Sequence, residues 1–203
     1  MEKERTFVFW GNRLFDCMIL NFLWILTVII SFGIATGAAN MALFHSISKG
    51  MKKDKRTMLA FYVEGIRTFW KQGTYIWGIQ LLVFFVIFLA TNYGLILFGN
   101  LANFIIPFYG VFALEVILLA IYFFPLYIRK KKSIKTVMIQ SFRLAHSNLF
   151  PSLILLASMI LAAFLVIRVH LSFLYFLPSI LAWWIDYWVN ERIMLKYDRI
   201  EEV

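Results

Sequence analysis

One carboxylate halfway along an apolar stretch is the residue of this chain with the sharpest chemistry. Glu115 is the only charged side chain between Phe104 and Ile128. A charge at the centre of a bilayer costs about 2.5 kcal/mol or more on insertion scales. Glu115 is therefore expected to be neutral and bonded to a neighbouring helix, to face a partner, or to serve a proton or ion relay. Asn21, Trp24, Asn40, Gln80 and Asn92 also fall in apolar segments. Amides in such places hydrogen-bond between helices, typically for less than about 1 kcal/mol each. Asp16 and Asp186 lie near segment ends, within reach of interfacial water. His45 adjoins a basic cluster and is expected at the membrane interface.

Other chemistries lack their residues. His146 and His170 stand apart from His45 in sequence, with no metal-ligand spacing. The chain has no Gly-rich phosphate loop, no Gly-x-Ser-x-Gly and no His-Glu-x-x-His. Catalytic residues, cofactor and metal are therefore not expected. With one cysteine, Cys17, no disulfide can form within the chain, and Cys17 reads as a small apolar packing residue.

The elements that must position these residues are long and apolar. Gly73–Phe98 carries no charge, and Phe104–Ile128 follows after a five-residue linker. Spanning a bilayer takes about 20 apolar residues, so this hairpin points to an integral membrane protein. Composition agrees: 62% of residues are hydrophobic and 15% charged, against about 25% charged in soluble domains. The net charge of +9 lies largely in two short loops, Lys49–Arg56 and Arg129–Lys135. Basic loops between spans orient a protein toward the cytoplasmic leaflet and meet anionic headgroups. They are not read as a nucleic-acid patch.

The remaining chain is expected to form an all-α bundle in a single membrane domain over residues 1–203. Thr6–Leu14 is an interfacial lead-in and Phe15–Phe32 a first span, with Gly33 and Gly37 bracketing a turn. Ala38–Ser48 either crosses as a short helix or is re-entrant. Crossing gives about six spans with both termini cytoplasmic, and re-entry gives five. Thr57–Gln72 and Thr136–Phe150 are amphipathic and read as two in-plane helices at the membrane surface. Pro151–Ile167 and Leu171–Val189 complete the spans. The mixed-charge start and the absence of a cleavage pattern argue against a removable signal peptide. A shift of 79 residues places Arg56 on Lys135, Thr57 on Thr136 and Thr68 on Ser147, a weak internal repeat.

The first ~75 residues resemble the YesL-type family of bacterial integral membrane proteins. The resemblance rests on Asn21-Phe22-Leu23-Trp24, on Gly37-Ala38-Ala39-Asn40-Met41-Ala42-Leu43, on Lys49-Gly50, and on Phe61 with Phe69-Trp70-Lys71-Gln72. Phe124-Pro125-Leu126-Tyr127 before the second basic loop is compatible with it. One departure is that family members often carry Pro where this chain has Ala35 or Thr36. The resemblance implies a protein of the cytoplasmic membrane in Gram-positive-type bacteria, often encoded beside carbohydrate ABC importers. It carries over no catalytic residue. The function it implies is a non-enzymatic accessory subunit that supports another membrane complex, with an ABC permease or a second copy as partner. The alternative is a small autonomous transporter or channel using Glu115.

Overall fold

A computed structural model describes residues 2–50, 57–99, 102–130 and 132–194. Among them are seven α-helices and no strand: α1 (Glu2–Ile30), α2 (Thr36–Gly50), α3 (Met58–Phe98), α4 (Ala102–Lys130), α5 (Ile134–Ser147), α6 (Leu149–Phe164) and α7 (Leu177–Asp186). A π-helical turn at Leu165–Val169 extends α6, and another at Tyr187–Ile193 extends α7. Three helical segments are long and apolar enough to cross a membrane: Met58–Gly94, Phe104–Lys130 and Leu149–Val169. The apolar part of α1, Phe15–Ile30, is shorter. α2 has 15 residues, about 22 Å at the helical rise, against roughly 30 Å of hydrocarbon.

α2 is the hub. It touches α1, α3, α4 and α7, and most of its side chains are buried. Its small residues set this position. α2 runs antiparallel to the first half of α3, with Gly37 against Gly73, Ala42 against Gly65 and Lys49 against Glu64. A Cβ on Gly73 would lie 2.6 Å from the Ala38 Cα, and one on Gly65 2.8 Å from the Ala42 Cα. The two backbones meet so closely that no larger residue fits, which is the usual packing device of membrane helices.

A core of aromatic and aliphatic side chains surrounds this pair. Phe44, Tyr62 and Phe69 meet Tyr122, Phe123 and Tyr127 of α4 in it, and α5 and α7 close it. The second half of α3 and the first half of α4 leave this body as an apolar hairpin. Phe85, Phe88, Ile96, Phe104 and Phe108 are all exposed along it.

Several boundaries differ from the sequence reading. Thr57–Gln72 is not a separate in-plane helix, because Met58 to Phe98 is one unbroken helix of 41 residues. At about 60 Å it is twice the thickness of the hydrocarbon core. Gly73 does not break it, since a glycine there is what lets α2 approach. The second amphipathic segment does form a separate helix, α5. It runs back antiparallel along α4, and His146 near its end meets Glu115. A helix laid along a candidate span is not in a plane across it.

The lead-in Thr6–Leu14 belongs to α1. The turn after α1 covers residues 31–35, with Phe32 and Gly33 at positive φ, and Gly37 is already helical. The last expected span is interrupted. His170 is extended, Leu171–Tyr175 forms a 3-10 turn, and α7 starts only at Leu177. The repeat-related Thr68 and Ser147 have unlike settings, one inside α3 and the other ending α5. Lys52, Lys53, Lys55 and Arg56 of the first basic loop, Lys131 of the second, and the C-terminal tail from residue 195 lie outside the described residues.

Candidate functional site

The polar residues singled out in the sequence fall into separate settings. Asn21 joins α1 to the start of α7. Its Oδ1 accepts from the Ser179 N–H at 2.8 Å and from the Ser179 hydroxyl at 2.6 Å. Its Nδ2 donates to the Tyr175 carbonyl at 2.8 Å. The first N–H groups of a helix have no partner within it. Phe176, at the start of α7, offers no side-chain cap. Asn21 supplies one from a distance of 158 residues.

His45 is buried within the protein, at 2% exposure. Its ring meets Phe61 and Phe69 edge-on, and its Nε2 lies 3.5 Å from Glu64 Oε1. Lys49 Nζ reaches the same oxygen at 2.8 Å. The antiparallel pairing of α2 and α3 brings the three together. In the sequence Glu64 is one polar residue of the amphipathic segment Thr57–Gln72. The signal that could have found it was the pair of charges flanking one short loop.

Glu115 meets His146 of α5, with Oε1 3.4 Å from Nε2. Both side chains are partly exposed. His146 looked isolated in the sequence because the contact needs α5 to fold back on α4. Two turns further along α4, the Tyr122 hydroxyl lies 2.8 Å from Ser152 Oγ, and Ser152 donates to the Ala145 carbonyl at 2.7 Å. Tyr122 is therefore the donor in its own bond. Asp186 accepts from Asn190 Nδ2 at 2.7 Å, and the Asn190 carbonyl accepts from Arg129 at 2.6 Å. This ties the end of α7 to the end of α4. Asn92 is exposed and donates to the Phe88 carbonyl of its own helix, so it bridges no helices.

Trp24 and Asn40 form the remaining pair. The Trp24 indole N–H donates to Asn40 Oδ1 at 2.8 Å. Both border a cavity of about 530 Å³ between α1, α2, α3, α4, α6 and α7. Gln80, Ile117, Met159 and Leu181 are also in its wall. No charged side chain lines it among the described residues. Nor do those residues hold a cluster of three or more metal-ligating side chains. The volume falls in the range of small-molecule sites.

No family model, curated protein or solved structure matches this chain.

Proposed function

We propose that this chain is a non-enzymatic, multi-pass accessory subunit of a bacterial cytoplasmic membrane, which associates with another membrane complex. The observation that carries this reading is the apolar α3–α4 hairpin. Its outward side chains, among them Phe85, Phe88, Phe104 and Phe108, are exposed beyond the packed body. In a bilayer such an arm presents a long lateral face to lipid or to another membrane protein. The YesL-type resemblance gives the partner class, a carbohydrate ABC importer.

Two of the internal polar residues are committed within the chain. Asn21 caps α7 and Asp186 holds Asn190, which favours a structural over a transport role for them.

In the proposed topology both basic loops and both termini are cytoplasmic. The α1–α2 hairpin then starts and ends on that side. Its turn carries Phe32, exposed at 94%, and exposed Ile34, and it rests in the hydrocarbon. Because α2 is enclosed by protein, its shortness exposes little backbone to lipid.

The test is purification from native membranes in mild detergent, with the co-purifying chains identified by mass spectrometry. Recovery of the permease subunits of a carbohydrate importer, lost when Phe85, Phe88 and Phe108 are all changed to Ala, supports the proposal. Recovery unchanged in that variant removes the hairpin from the contact. Absence of any permease subunit removes the assignment.

A second reading, a proton- or ion-coupled transporter, has one observation in its favour. Glu115 and His146 lie 3.4 Å apart on two helices, and both can exchange protons.

A further inference from the structure

We propose that the cavity bordered by Trp24, Asn40 and Gln80 binds one neutral, long-chain amphiphile, whose uncharged hydrogen-bonding group pairs with the Gln80 amide. This goes beyond the accessory role and depends on no partner protein. Gln80 is 9% exposed and lies in the cavity wall. Among the described residues its side chain has no hydrogen-bond partner. The amide is open to the cavity, and an unpaired amide in an apolar setting is costly, so it marks a place for a polar atom from outside the chain.

Three properties of the wall define that ligand. It is apolar around the amide, with Phe84, Val116 and Ile117 among its residues, so most of the ligand is hydrocarbon. Among the described residues it has no charged side chain, so an ionised headgroup would be buried without a counter-charge. Its polar groups are few. Asn40 already spends its Oδ1 on Trp24, leaving its Nδ2 as the other amide donor. Ordered water in a cavity needs about two to four polar partners, which favours a ligand carrying its own hydrocarbon over a water cluster. The cavity also lies among helices apolar enough for a membrane, where uncharged amphiphiles are plentiful.

A monoacylglycerol with a photoactivatable diazirine in its acyl chain, added to the purified protein in lipid nanodiscs, tests this. The expected result is saturable labelling of wall residues such as Ile117 and Met159. Unlabelled monooleoylglycerol should compete, and palmitate at the same concentration should not. Gln80→Leu should lower that labelling roughly fivefold, the worth of a single net hydrogen bond, without lowering the thermal unfolding temperature. Ala163 is an exposed residue that also borders the cavity, so Ala163→Trp should block labelling with the fold intact. The proposal fails if wild-type labelling is not saturable, or if palmitate competes as well as monooleoylglycerol. It fails too if folded Gln80→Leu protein labels like wild type, which would assign the amide to water. Should Gln80→Leu not fold, undiminished labelling of Ala163→Trp has the same consequence.

Discussion

Asn21 caps a helix that begins 156 positions later in the chain, by accepting both the backbone N–H and the hydroxyl of Ser179. The same amide donates to the Tyr175 carbonyl, so one side chain serves the 3-10 turn and the first turn of α7 together. Asn21→Ala removes all three bonds and leaves the buried Ser179 N–H without its partner. An unsatisfied buried group costs about 1–3 kcal/mol. The variant should unfold at clearly lower temperature in mild detergent than Ser179→Ala, which loses only the hydroxyl bonds. Equal unfolding temperatures would show that the cap contributes nothing beyond the hydroxyl.

Two glycines of α3 should respond in opposite directions. A side chain at Gly73 meets the Ala38 backbone, whereas one at Gly78 meets open space. Gly73→Leu forces α2 away from α3 and should cost at least the 1–3 kcal/mol of an overpacked core. Gly78→Ala should gain about 0.5–1 kcal/mol from helix propensity. Thermal unfolding of the two variants in one detergent measures both. A tolerated Gly73→Leu would contradict the close pairing of α2 and α3.

The proposed topology can be read with a membrane-impermeant thiol reagent. In a Cys17→Ala background, a cysteine at Asn100 should be labelled from outside intact cells and one at Lys53 should be spared. A probe near the N-terminus should also be spared. External labelling of that probe would place the N-terminus outside and give α1 and α2 a different arrangement.

Apolar runs and charge placement were enough to expect a helical chain with membrane-length segments. The hairpin at 73–128 stands as two long helices because length and hydrophobicity determine such elements locally. Local pattern failed where tertiary contact overrode it. Gly73 reads as a boundary in sequence, yet it is a contact point inside one helix. The stripe on 136–150 reads as a surface helix, but Val137, Ser141 and Leu144 pack inward. Segment 171–189 is largely apolar in the manner of a span, with Asp186 near its end, and the 3-10 turn at Leu171–Tyr175 before α7 follows from backbone geometry that hydropathy does not record.

The site was legible in parts. Asn21, Trp24 and Asn40 were visible as polar groups in apolar surroundings, and each bonds across helices. The partners of Asn21, Ser179 and Tyr175, were not visible, because those contacts join segments more than 150 residues apart. The Glu115–His146 pair and the cavity beside Gln80 likewise require several helices to be placed together before they exist.

The central claim is that the chain acts through another membrane complex and moves no solute by itself. Uptake into proteoliposomes tests it most directly, with purified wild-type and Glu115→Gln protein compared under an imposed proton or ion gradient. Glu115→Gln keeps shape and hydrogen-bonding capacity but cannot ionise. The account predicts no uptake by either protein, and equal recovery of the importer's permease subunits with both from native membranes. Gradient-driven uptake by the isolated wild-type protein, lost in Glu115→Gln, would contradict the accessory role and establish the transporter reading.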